Sequence, residues 1–179
     1  METLSLDIFV VPTVALTLVI LMYIYFAKQV RNKKNYRNYI IGIALIAFSF
    51  NFIWELAQGP LYEGFEYDWQ HISFCALASI AYMLMVLILL FGFGLLYRNV
   101  FWIDDLTPKQ ILVLVTIGTI GAILGEIWHT SRGDWNYAEA MPILPWVNLG
   151  LSPLLQFAVL PYLIFVIGKN YINKGNLEK

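Results

Sequence analysis

Phe50-Asn51-Phe52-Ile53-Trp54-Glu55-Leu56-Ala57-Gln58-Gly59-Pro60 sets a carboxylate, an amide pair and a tryptophan at the end of an otherwise apolar run. On a helix Asn51, Glu55 and Gln58 fall at i, i+4 and i+7 and share one face. The run opens near Tyr39. At 1.5 Å per residue, Glu55 then lies roughly 24 Å along it, inside a hydrocarbon layer about 30 Å thick. A carboxylate at that depth is costly and ordinarily faces a bundle interior or a watered cavity. The alternative is a glutamate at the water interface that merely ends the span. Two further polar residues on its face favour the buried reading. Gly59-Pro60 stops the helix.

Composition agrees with a membrane setting. Of 179 residues, 60% are hydrophobic and 13% charged, and the mean hydropathy is +0.69. These values exclude an ordinary soluble domain and indicate a polytopic membrane protein. A net charge of −1 supplies no basic field, so no nucleic-acid partner is expected. Cys75 stands alone, which excludes an intrachain disulfide and a cysteine-cluster metal site. The start Met1-Glu2-Thr3-Leu4-Ser5-Leu6-Asp7 is acidic, whereas a cleavable signal peptide needs a basic opening.

Five apolar runs are long enough to span: about residues 8–27, 39–58, 72–96, 111–128 and 149–168. The expected fold is an all-α polytopic bundle of five transmembrane helices forming one domain over residues 1–179. Lys28, Arg31, Lys33, Lys34 and Arg37 follow the first run, Arg98 and Lys109 lie between the third and fourth, and Lys169, Lys174 and Lys179 follow the fifth. Ten of the eleven basic residues thus share one side and Arg132 alone is opposite. The positive-inside rule puts the N-terminus outside and the C-terminus in the cytoplasm of a multi-pass cell-membrane protein.

The first run reads as a peripheral, lipid-facing helix, with Pro12 in an early turn. The loop 61–70 alternates Tyr62, Phe65, Tyr67 and Trp69 with Glu63, Glu66 and Asp68, and reads as an interfacial lid or an aromatic belt. His71 opens the third run. Asp105 or Thr107 is expected to cap the fourth, with Pro108 at its first position, and the link 99–110 is given no chemical role. Gly121 and Gly125 form a small-xxx-small pair, read as close packing or room for a ligand. Glu126 lies about 22 Å along the fourth run, close to the depth of Glu55 on a helix running the same way. The loop 131–147 is too long and aromatic for a bare turn and reads as a second cover. Asn148, Ser152 and Gln156 make a polar stripe on the fifth run, and the tail from Asn170 is expected to fray.

These residues pool into Asn51, Glu55, Gln58, His71, Glu126, His129, Asn148, Ser152 and Gln156, all in the outer half, where polar groups must find one another. A structural hydrogen-bond network accounts for the amides and Ser152 more easily than for two carboxylates. Three chemistries fit. A buried carboxyl group acts as general acid on an apolar substrate, with Trp54, Trp128, Trp135 and Tyr62 as walls that stabilise a carbocation. A metal bound by Glu55, His71, Glu126 and His129 ranks lower, because the chain has one Glu-x-x-His pair and two histidines. Proton or cation transport lacks a polar path to the cytoplasmic side.

Asn51, Trp54 and Glu55, with Pro60 following, resemble the Asn-x-x-Trp-Glu motif of the small integral-membrane terpene cyclases of fungal meroterpenoid and indole-diterpene pathways. That resemblance implies protonation of a terminal epoxide or alkene by a membrane-embedded acid, hence a cyclase or isomerase type of reaction. Those enzymes look like seven-span proteins, whereas this chain offers five. Trp54-Glu55, Gln58-Gly59-Pro60-Leu61-Tyr62 and Pro153-Leu154-Leu155-Gln156 also resemble segments of bacterial multi-pass membrane proteins, a likeness that implies no activity. The expectation is a membrane enzyme on an isoprenoid or other lipid, with Glu55, Glu126 and His129 as catalytic groups and no cofactor. Asn51, Trp54, Gln58, Tyr62, His71, Trp128, Trp135, Asn148, Ser152 and Gln156 would hold the substrate. A non-catalytic lipid-binding or assembly subunit is the rival, and the oligomeric state is left open.

Overall fold

A computed structural model describes residues 10–177. The acidic start and the first two residues of the first expected span lie outside the described residues. Five helices follow one another: α1 (Val10–Gln29), α2 (Lys33–Gln58), α3 (Trp69–Tyr97), α4 (Pro108–Arg132) and α5 (Leu151–Leu177). Each is long and apolar enough to cross a membrane. The end where α2 and α4 finish is termed upper, and the end where they begin is termed lower.

Local signals fix the helix ends. Asn32 caps α2 by accepting from the Asn35 amide, so α2 starts at Lys33, ahead of the apolar run that announces it. Asp68 caps α3 in the same way through the His71 amide. Thr107 and Gln110 form a reciprocal capping box ahead of α4, with Pro108 at its first position as expected. Arg98 and Gly133 end α3 and α4 in the left-handed conformation. α5 runs through Asn170 to Leu177, and the last two residues of the tail lie outside the described residues.

α1 leans on α3, α3 packs on α2, α2 on α5, and α5 on α4, while α3 and α4 have no extended packing on each other. A close backbone crossing lies between α4 and α5, where a side chain on Gly118 would run into the Phe157 carbonyl. Close packing at Gly121 and Gly125 is corrected, because neither meets a neighbour; the alternative of room beside the backbone stands.

The apolar core occupies the lower half, around Tyr39, Ile43, Leu90, Phe91, Ile164 and Phe165. The α3–α4 link re-enters this core. Val100, Trp102 and Ile103 are buried, Trp102 Nε1 donates to the Leu90 carbonyl at 2.9 Å, and the Tyr39 hydroxyl donates to the Val100 carbonyl at 3.2 Å. A segment expected to be a plain connector is a plug for the lower end.

At the upper end the two loops are stitched together. Tyr62 and Tyr137 form an antiparallel bridge, with the Glu63 amide donating to Asn136 and the Ala138 amide to Leu61. The second loop closes with a hairpin of β1 (Ile143–Leu144) on β2 (Leu149–Gly150). Asn148 turns that hairpin at φ 54°. It therefore stands outside α5, and the expected stripe shrinks to Ser152 and Gln156.

Candidate functional site

The buried polar and charged residues among those described are Asn51, Glu55, Gln58, Ser79, Glu126 and Gln156. All but Ser79, which donates to its own helix at Cys75, belong to the upper cluster. Helical spacing turns Asn51, Glu55 and Gln58 of α2 toward α5, which supplies Ser152 and Gln156. Gln156 Nε2 donates to Asn51 Oδ1 at 3.1 Å and to Glu55 Oε1 at 3.0 Å. Gln58 Nε2 donates to Glu55 Oε1 at 2.7 Å and to Gln156 Oε1 at 2.9 Å. Gln58 Oε1 in turn accepts from Ser152 Oγ at 2.8 Å and Trp54 Nε1 at 3.2 Å.

Glu126 of α4 is held from the other side. Its Oε2 accepts from the Tyr137 hydroxyl and, at 3.4 Å, from Trp135 Nε1. Burial first, and the bond to the Glu126 carboxylate second, raise the Tyr137 hydroxyl above the ordinary phenol range, so it stays protonated and donates. Burial does the same at Tyr62, helped by Glu126.

The bonding is lopsided. Glu55 Oε1 takes two amide hydrogens and Oε2 takes none; Glu126 Oε2 takes two donors and Oε1 none. No enclosed side-chain nitrogen or oxygen among the described residues lacks a partner, so both unbonded oxygens keep accessible surface. The hydroxyls of Tyr62 and of Tyr82 on α3 are likewise unbonded among the described residues. Tyr137 links Glu126 to Tyr62: it bonds the carboxylate and packs on the Tyr62 ring, with centroids 5.8 Å apart.

Other expected members stand elsewhere. Trp128 is 60% exposed with the Arg132 guanidinium 5.4 Å over its ring, so it turns away from the buried cluster. His71 Nδ1 lies 2.9 Å from Asp68 at the start of α3, and its ring meets Phe65. The His71 amide and ring hold the Asp68 carboxyl below its usual range. His129 does not bond Glu126; its Nδ1 is 2.7 Å from Asp134, and its ring stacks on Trp135 at 4.3 Å. His129 therefore reaches Glu126 only through Trp135. Asn148 lines an open groove of about 370 Å³ with Ile127, Thr130, Leu149 and the two Glu126 partners, Trp135 and Tyr137. Among the described residues no three of His, Cys, Asp and Glu gather closely enough to hold a metal ion.

Tyr82 and Tyr137 are the members that reading the sequence missed. Tyr82 follows Cys75 and Ser79 at i+7 and i+3, on the buried face of α3, and that spacing was the available signal. Tyr137 sits in a loop, where no periodicity points to a partner. No family model, curated protein or solved structure matches the chain.

Proposed function

We propose that the chain is an integral-membrane enzyme acting on an isoprenoid or other lipid by carboxylate acid–base chemistry, of cyclase or isomerase type, in the outer half of a cell membrane. One observation carries the reading: each buried carboxylate is anchored through one oxygen and leaves the other open. With two N–H donors on Glu55 Oε1, the proton of a neutral Glu55 belongs on Oε2, the oxygen open to substrate. Oε2–H protonates an alkene or an epoxide oxygen, leaving Glu55 as carboxylate. The cationic substrate then closes or shifts its bond and loses a proton to Glu126 Oε1. Return of that proton to Glu55 restores both groups, and the lipid keeps its formula. Tyr62 and Trp135, 6.3 Å apart edge to face, supply aromatic surface for the cation.

Glu55→Gln keeps the size and the Oε1 acceptor while removing the transferable proton. Purified wild type and variant in nanodiscs would be offered linear and epoxidised isoprenoids in deuterated water, with deuterium uptake and product followed by mass spectrometry. Turnover and deuterium uptake should vanish in Glu55→Gln with ligand retention intact. Leu56→Gln, on another face of α2, controls for the mere addition of a polar group. Full activity of Glu55→Gln rejects the acid role.

A second reading rests on its own observation. In the α2–α5 part of the network the amides of Asn51, Gln58 and Gln156 and the Ser152 hydroxyl are all paired with one another or with backbone. That favours a non-catalytic lipid-binding or assembly subunit in which these groups hold two helices together. Loss of folding in Glu55→Gln, rather than of turnover, would support it.

A further inference from the structure

We propose that the open groove between the end of α4 and the second upper loop is a receptor for an uncharged glycosyl group, either the head of a neutral glycolipid or the sugar alone. Such a site differs in chemistry from the open carboxylate oxygens, and its existence does not depend on Glu55 acting as an acid.

The groove's volume of about 370 Å³ falls within the range of small-molecule sites. One wall is the last two turns of α4, the second is the loop around Trp135 and Tyr137, and the third is the turn of the β1–β2 hairpin. These walls are braced before any ligand arrives. Tyr137 is bridged to Tyr62, the Ala138 amide donates to the Leu61 carbonyl at 2.9 Å, and the Asn148 amide donates to the Leu144 carbonyl at 2.8 Å. A preformed site spares a ligand the cost of ordering loops. Trp128 and the hairpin residue Trp146, 60% and 93% exposed, flank the groove in sequence. Exposed indoles rest in the headgroup layer of a bilayer, which sets the groove at the depth of lipid heads.

The lining selects the ligand. Among the described residues no charged side chain lines the groove. Arg132 is engaged over Trp128 and 3.9 Å from Asp134, which also meets His129. A phosphate, carboxylate or ammonium head would give up water here and gain no counter-charge. The amides, by contrast, are unspent. Asn136 and Asn148 hold the loop through their backbones, and their side-chain amides bond none of the described residues. Thr130 and Ser131 give their hydroxyl hydrogens to the Glu126 and Trp128 carbonyls at 2.6 and 3.0 Å, which leaves oxygen lone pairs as acceptors. Trp135 and Tyr137 spend their hydrogens on Glu126. The groove therefore offers two amides that donate and accept, two hydroxyl oxygens that accept, and the apolar side chains of Ile127, Val147 and Leu149. A hydrocarbon would dry the amides without replacing their water. A sugar ring brings hydroxyls that both donate and accept, and C–H faces for the apolar side chains.

The test uses the full chain in phosphatidylcholine nanodiscs, with a monoglucosyl diacylglycerol carrying a diazirine on its sugar as the photoprobe. Adducts should map to residues 127–137 or 147–149. The unlabelled glucosyl lipid should displace the probe, and its glucuronosyl counterpart, the same ring with a carboxylate, should do so about tenfold less well. Displacement by methyl glucoside as well identifies the sugar alone as ligand, displacement by the lipid only identifies the lipid-borne head, and either supports the receptor. Asn148→Gly removes one amide, keeps the left-handed turn at φ 54°, and should weaken probe binding about fivefold. Asn136→Ala, at an exposed loop position, should do the same, and it decides if Asn148→Gly fails to fold. Adducts scattered along the spans, equal displacement by the glucuronosyl lipid, or unchanged binding in both asparagine variants would each overturn the proposal. Full turnover by Glu55→Gln alongside the expected labelling rejects the acid role and leaves the receptor standing. Lost turnover in that variant with adducts elsewhere does the reverse.

Discussion

Gln156 joins three partners of the upper cluster through one amide: its nitrogen serves Asn51 and Glu55, and its oxygen accepts from Gln58. Gln156→Met preserves length and removes all three bonds, leaving Asn51 Oδ1 without its donor. Thermal unfolding in detergent should show a loss of about 1–3 kcal/mol, the cost of a stranded buried polar group. A smaller loss would mean that water enters and replaces the amide. The α2 half of this cluster is legible in the sequence, because i, i+4 and i+7 must share a face whatever the helix packs against. Trp128 shows where composition misleads: it lies two residues beyond Glu126, about 200° around the helix, so burial of one turns the other outward. Tyr137 was not legible, because its approach to Glu126 depends on how one loop pairs with another.

Among the elements, the α4–α5 crossing and the α3–α4 link determine whether the site is held in shape. Gly118→Val would force α4 from the Phe157 backbone and carry Glu126 with it. Its expected cost is about 1–3 kcal/mol of overpacking, read as a lowered unfolding temperature. The Tyr137–Glu126 bond, read by the ultraviolet difference spectrum of tyrosine, should weaken in the same variant. Trp102→Ala should cost more, about 3–5 kcal/mol, because it empties the lower plug. That loss should not alter ligand selectivity, since Trp102 lies among Phe93, Tyr97 and Phe165 at the opposite end. The spans themselves were legible from apolar length. Their starts were less so, because the first turns of α2 are polar and set by the Asn32 cap, outside any apolar period. The plug is not legible because the link 99–110 between two spans reads as a connector, and only packing shows that Val100, Trp102 and Ile103 turn inward.

At the scale of the molecule, five membrane-length helices are legible from hydropathy, whereas their pairing order is not, because apolar faces carry little information about which neighbour they meet. Orientation rests on the basic asymmetry. With Cys75 replaced by serine, Asn35→Cys in intact cells should resist an impermeant thiol reagent, and Asn136→Cys should react. The opposite pattern would invert the orientation and put the carboxylates in the inner leaflet. The pairing order also bears on biosynthesis. During translation α2 finds α3 at once, but α4 emerges before α5, the helix it leans on. Until the last span is inserted, the fourth helix lacks the neighbour it packs on, and Glu55 lacks Gln156. A ribosome that stalls before the fifth span therefore leaves Glu55 and Asn51 without the amide that joins them and the lower core without Ile164 and Phe165.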